Sequence, residues 1–305
     1  VALKLDAEKE GSAAAKRYAV TAYPTLLLLK PDGTELDRII GYREPGRFIA
    51  EFSAGAAGRP AVVRAREAAA KVAADEREAV RARYSLAKTL AQRGQSAEAL
   101  EHYLWCYDVG MVKVASYVGV RNSFLTMDLG RLAREYEPAR DALLMRRDAA
   151  KRRLLDGEAA ATRDFAALSD ALGDQAANLA MFDQLPAGDP RRRAFGLRVQ
   201  AALVEARRYA DALEAMPVGS ILQLVDGALS RPDPTAVDVS VSRVRAKGYV
   251  SYVEVLAGAG DMARARELIG KILRIDATEG TCALLRRAAE RAGRPELLPA
   301  IVAKP

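Results

Sequence analysis

Cysteine and histidine are almost absent from this chain. Its 305 residues contain two cysteines, Cys106 and Cys282, and a single histidine, His102. Two cysteines so far apart, both in helical sequence, supply no disulfide framework and point to no compartment. Nor do they supply a redox pair, because thiol–disulfide exchange needs a low-pKa thiolate with a resolving thiol beside it. One histidine, without a nucleophile and an orienting acid to match it, gives no catalytic triad. It reads as a surface or packing residue beside Tyr103. A zinc site of the usual kind is also excluded, since one histidine and two distant cysteines cannot complete the ligand set, although carboxylates remain as ligands in principle. The sequence therefore assigns no catalytic residue, no metal ligand and no cofactor.

Other signals are missing as well. No apolar run approaches the roughly 18 residues of a membrane-spanning helix, so no membrane span is expected. There is no Gly-x-Gly-x-x-Gly, no phosphate-binding P-loop and no Gly-x-Ser-x-Gly elbow, which removes independent support for a nucleotide enzyme or a hydrolase. No signal peptide is legible, and that absence decides nothing about compartment. Charge of one sign is not strongly in excess: 47 basic against 40 acidic residues give a formal net charge of +7. That imbalance suits solubility better than nucleic-acid binding. Two basic clusters stand out, residues 146–153 and Arg191-Arg192-Arg193. They read either as a groove for acidic peptides or phosphate backbones, or as a solvated helix face and a helix start. No aromatic residues interleave them as in single-strand binders, so the solvated-face reading is preferred and no nucleic-acid partner is expected.

What the chain does carry begins at residue 17. Residues 26–29 are four leucines bounded by turn signals, the mark of a buried strand. Lys30-Pro31-Asp32-Gly33 is a turn, with Pro31 presetting φ and Gly33 accepting a positive φ. Residues 34–40 then predict the return strand of a hairpin. Tyr23-Pro24-Thr25 puts a proline at the head of the first strand, where it either starts an edge strand or sits in a cis bond at a tight turn. The sequence alone favours trans.

In order and spacing, roughly the first 55 residues resemble the second half of a thioredoxin fold. Residues 1–6 match its third strand, 10–18 the following helix, 20–24 the loop with the family's cis-proline, Gly41 the glycine after the last strand and 44–52 the closing helix. The resemblance implies that Pro24 is cis, and that Tyr23, Pro24 and Gly41 lie where a substrate backbone docks. It also implies that the family's Cys-x-x-Cys half lies upstream of residue 1, since no such pair follows. The strand matching residues 25–29 then lacks its neighbour. An open, leucine-rich edge of that kind invites pairing with another chain, so self-association through this strand or mobility of residues 1–55 is expected.

Beyond residues 53–60, a small-residue stretch that makes the best domain boundary, the pattern is helix, turn, helix. In residues 83–107, Leu86, Ala87 and Leu90 form one apolar stripe. Gly94 stops that helix and Ser96 can cap the next. Ala99, Leu100, Tyr103, Cys106 and Tyr107 form a second stripe, in which Cys106 takes the place of a small buried residue. This unit resembles a tetratricopeptide repeat. Weaker copies follow around Ala139, Ala212 and Ala265, spaced more widely than the about 34 residues of a strict repeat. Residues 276–279 read as a capping box opening the helix that holds Cys282. The expected architecture is a partial α/β thioredoxin-like module, residues 1–55, followed by a mainly α-helical repeat domain, residues 56–305, stacked as an α-solenoid.

The function this predicts is a protein-interaction scaffold whose helical array binds a polypeptide partner or client protein, with a chaperone or redox link suggested by the resemblance. The alternative is a thiol–disulfide oxidoreductase whose cysteine pair lies upstream of this chain. The resemblance leans to an extracytoplasmic compartment, periplasmic or secreted, and leaves the cytoplasm open.

Overall fold

The hairpin at residues 25–40 has its origin in its turn. Lys30 N–H donates to Thr34 O (2.8 Å) and Gly33 N–H to Lys30 O (2.9 Å), while Asp32 Oδ1 accepts from Thr34 N–H (2.8 Å). These bonds reverse the chain between β1 (Thr25–Leu29) and β2 (Glu35–Ile40), which pair antiparallel with Leu26 opposite Ile39 and Leu28 opposite Asp37. In this computed structural model the rest of the chain is mostly helical, and residues 2–71, 75–229 and 236–303 are described. They fall into two compact units, Val1–Arg140 and Asp141–Pro305.

In the first unit, residues 2–6 form no strand, and Val1 lies outside the described residues. The physical reason is pairing: β2 takes one edge of β1, and no third strand among the described residues offers residues 2–6 a partner. A short helix, α1 (Ser12–Arg17), precedes the hairpin, and α2 (Pro45–Ala56) follows it. Proline at the first helical position costs α2 nothing, because that N–H has no intrahelical partner. The helix brings Gly55 so close to the sheet that a Cβ there would lie 2.8 Å from Asp37 Oδ2 and 3.3 Å from Leu28 Cδ2.

Asp37 is the pivot of this unit. It is 3% exposed and points from β2 towards the helices. Its Oδ1 accepts from Ala61 N–H (2.9 Å) at the start of α3 (Ala61–Lys71) and from the guanidinium of Arg93. Arg64 approaches Oδ2 at 3.4 Å. Arg93 is the residue that ends α4 (Glu76–Gln92). Alongside, Glu35 takes two bonds from Arg38 (2.6 and 2.8 Å), and Arg38 also donates to Tyr18 O (2.7 Å) behind α1. Two carboxylates and three guanidinia thus fasten the sheet to α1, α3 and α4.

After Gly94 the chain returns as α5 (Ser96–Trp105), with Val80, Leu86, Ala87, Leu90, Ala99, Tyr103 and Cys106 buried. Ser96 is the first helical residue and not its cap; Gln95 precedes the helix and no side chain caps it. The helix continues as a π turn, Cys106–Gly110, and a second π turn, Arg121–Leu125, leads into α8 (Thr126–Ala133) after the short α6 (Met111–Lys113) and α7 (Val118–Val120). Arg121 joins the two π turns. It donates to Tyr107 O (2.7 Å) and stacks on the Tyr107 ring, 3.8 Å from its centroid.

The second unit continues from α9 (Glu137–Leu155) through α10 (Ala161–Ala171), α11 (Gln175–Gln184), α12 (Pro190–Arg198), α13 (Gln200–Glu205), α14 (Tyr209–Ala215), α15 (Val218–Leu229), α16 (Ala236–Gly258), α17 (Met262–Ile275) and α18 (Glu279–Arg291). Phe165, Phe182, Phe195 and Leu203 are buried at its front, and Val253, Leu256, Leu268, Ile269, Cys282 and Leu285 behind. Aspartates cap several helices: Asp174 accepts from Ala177 N–H, Asp189 from Arg191 N–H and Asp261 from Arg264 N–H, each meeting an N–H of the first turn that has no partner within the helix. The start of α18 departs from a capping box. Thr278 stands at the cap with no side-chain bond, and buried Asp276 takes over, accepting from Thr278 N–H (3.2 Å) and Thr281 O–H (2.6 Å).

Two stability results follow. Asp37→Ala leaves Arg93 facing a gap in a buried ion pair, and denaturant unfolding of the first unit should show a loss of about 3–5 kcal/mol; a loss below about 1 kcal/mol would mean that Asp37 does not hold the sheet. In the second unit a Cβ on Gly258 would meet the Tyr209 ring at 2.2 Å, whereas one on Gly270, inside α17, meets nothing within 4 Å. Gly258→Ala should destabilise by about 1–3 kcal/mol, and Gly270→Ala should stabilise by about 0.5–1 kcal/mol. Equal effects would contradict the packing described.

Candidate functional site

The open edge of β1 is the feature of the described residues that most resembles a binding site. Gly41 N–H donates to Pro24 O (2.8 Å), which makes Thr25 and Ile40 a non-hydrogen-bonded pair. In an antiparallel ladder the bonded and non-bonded pairs alternate. Leu26 and Leu28 therefore turn their backbone groups to β2, and Thr25 and Leu27 turn theirs outward. Nothing among the described residues adds a strand there.

Exposed apolar side chains lie on the hairpin and on the helix that follows it. Leu26 and Leu29 are 40% and 37% exposed, Tyr23 62% and Tyr42 73%. On α2, Ile49 and Phe52 are also exposed, with Phe52 beside Phe48 at 5.9 Å between ring centroids. The structure brings Tyr23, Pro24 and Gly41 together at one end of the hairpin. The Tyr23–Pro24 peptide is cis, Gly41 has φ +81°, and the Thr25 hydroxyl closes the loop by donating to Ala22 O (2.6 Å). An extended backbone laid along β1 would meet the outward N–H and C=O of Leu27 and, beside them, leucine and tyrosine side chains. That is the chemistry of strand addition.

The cysteines do not share in it. Cys106 and Cys282 are free and buried. Burial pushes the Cys106 thiol up to about 12, against a smaller downward pull from Arg83. Burial raises Cys282 too, and its thiol points at Ala277 O (3.9 Å). His102 is half-buried on α5, and its Nδ1 has no hydrogen-bond partner among the described residues. Burial and then the charge of Arg83 lower its pKa, so the imidazole is neutral at pH 7. Among the described residues no group of three or more His, Cys, Asp or Glu side chains could hold a metal ion, and no helix is long and apolar enough to cross a membrane.

The basic clusters are largely occupied with holding helices. Arg147 donates to Asp174 (2.7 Å) and Arg153 to Asp164 (2.7 Å). Arg191 binds Asp189 and Leu154 O, and Arg192 binds Asp211, Glu214 and the carbonyls of Phe182 and Leu185. Neither the Asp37–Arg93 clamp nor the two π turns are legible in the sequence. The acid in the middle of a strand was the one signal for the former. A second exposed apolar set lies at the π turns, with Val112 58%, Phe124 61% and Met127 43% exposed.

Comparison with protein-family models, with curated proteins and with solved structures finds no match for this chain.

The thiols give a direct check. A thiol held near 12 is almost entirely protonated at pH 8, and only the thiolate attacks an aromatic disulfide reagent. Folded protein should therefore leave Cys106 unlabelled over the time in which an exposed model thiol reacts fully, and both thiols should react at once in denaturant. Rapid labelling of folded protein at Cys106 would overturn its placement.

Proposed function

We propose that this protein is a polypeptide-binding scaffold: a partial thioredoxin-like module, residues 1–55, carried on a helical array with tetratricopeptide-like turns. Its hairpin takes up an extended segment of a partner or client chain. One observation carries this reading, the edge of β1 that no described strand pairs, on a strand whose Leu26 and Leu29 are exposed and whose cis-proline end carries exposed Tyr23. An edge of that kind offers main-chain hydrogen bonds to any extended sequence and apolar contacts to alternate side chains. Its leucines carry no charge to repel a partner; the proline and lysine that usually guard an unpaired edge stand outside the strand, at Pro24 and Lys30. The two thiols of this chain take no part in that binding, because both are buried.

The test is capture of a permanently unfolded, cysteine-free polypeptide, followed by fluorescence anisotropy. Leu26→Lys with Leu29→Lys places charge on the exposed edge and leaves Asp37 and its arginines untouched. Binding should weaken at least tenfold, about 1.4 kcal/mol. Unchanged binding in a variant that keeps the parent's circular dichroism would defeat the reading.

A further inference from the structure

One carboxylate ties α3 to α5, and a histidine stands a turn away from it. Glu98 of α5 accepts two bonds from Arg66 of α3 (2.5 and 3.1 Å). His102 lies one turn further along α5, on the same face. Its ring is half-buried, and Nδ1 is shut off from solvent with no hydrogen-bond partner among the described residues. The charged groups about it are Arg66 on α3, Arg83 on α4, and Glu98 and Glu101 on α5. Arg83 is itself stacked on Trp105, 4.2 Å from the ring centroid. The Cys106 thiol, one turn beyond, stays protonated and adds no charge.

A neutral imidazole fits this setting. It carries a single N–H, and with that proton on Nε2 the buried Nδ1 is only an acceptor. The imidazolium fits badly. Both of its nitrogens are donors, so a buried Nδ1–H meets no acceptor, and an unmet buried group costs more when it is charged. Arg66 and Arg83 also repel the added charge. The nearest remedy is Glu98, because opposite charges at that spacing on a helix attract. A bond from His102 to Glu98 takes the carboxylate from Arg66.

We propose that His102 is an acid-sensitive switch on α3: on taking up a proton it draws Glu98 away from Arg66 and loosens α3 from α5. The same helix meets Asp37 through Ala61 N–H and Arg64, so the loosening reaches the hairpin. The switch is local to the first unit and holds whether or not β1 binds a client. Its sense follows from the lowered pKa of the ring, set first by burial and then by Arg83. The stability that goes with the neutral ring is complete above the ordinary histidine value, about 6.5. It is lost as the pH falls through that value towards the lower one of the folded chain, because the unfolded chain then binds the proton more readily.

The chain has one histidine, which makes the test direct. In a proton NMR titration the single imidazole signal reads its own protonation, and amide exchange at residues 65–71 reads α3. The two should share one midpoint, below about 6.5, and protection at residues 65–71 should fall about tenfold across it. His102→Gln should hold that protection constant from pH 7 to pH 5. Glu98→Gln removes the tie outright and should show the lower protection at both. Unchanged protection in the parent as the ring takes its proton would overturn the inference, and so would the same acid loosening in His102→Gln. A loosening with a midpoint away from that of the ring belongs to the carboxylates and would overturn it as well. If His102→Gln does not fold, the shared midpoint in the parent decides. None of these measurements uses a polypeptide ligand, so the proposed function is judged separately.

Discussion

A carboxylate taken out of water has to be met by donors, and Asp37 is met from every side. The cost of leaving it unpaired is several kcal/mol, so the positions of its partners are tightly constrained. Those partners are the N–H that opens α3, the guanidinium that closes α4 and a second guanidinium on α3. A two-stranded hairpin alone is marginal in water. Here the carboxylate on β2 turns it into a fixed part of the first unit. Gly55 lets α2 come down directly over the same carboxylate.

This fastening acts on one strand only. β2 is gripped through Glu35, Asp37 and Arg38, whereas β1 is held by its ladder to β2 and by Leu28 under α2. The anchored strand therefore presents the unanchored one with its far edge clear. The same arrangement explains why that edge can be both apolar and persistent: moving β2 out of place would strand the buried Asp37 charge without its donors, a constraint that needs no partner in front. On the proposed function, such an edge would bind by completing a sheet, a mode that is tolerant of sequence and depends on an extended backbone.

Much of the local structure was legible in the residues. Four leucines, a Pro-Asp-Gly turn and a return strand at residues 34–40 specify the hairpin, and Gly94 ends a helix where helical spacing runs out. Cys106 is buried where the apolar stripe required a small residue. What was not legible depends on distant partners. Nothing local in Glu-Leu-Asp-Arg says that Asp37 will find Arg93, because that bond joins residues whose proximity is a product of the fold. The π turns at Cys106–Gly110 and Arg121–Leu125 escape a 3.6-residue pattern, since about one extra residue per turn shifts the stripe without erasing it. Asp276 was legible as part of a cap, but which side chain of Asp276, Thr278 and Glu279 does the capping depended on burial. The basic clusters illustrate the opposite limit: as sequence they are charge, and only the structure attaches Arg147, Arg153, Arg191 and Arg192 to their carboxylates and carbonyls.

Amide hydrogen exchange across β1, read residue by residue with and without a bound unfolded polypeptide, tests the central claim most directly. In the free protein at high dilution, the Leu26 and Leu28 amides should exchange slowly because β2 holds them, and the Leu27 amide quickly because it faces the open edge. On binding, Leu27 should become as protected as its neighbours. Protection that appears on the helices from 76 to 133 while Leu27 stays fast would show that polypeptide is taken up elsewhere and that the edge of β1 is not the site.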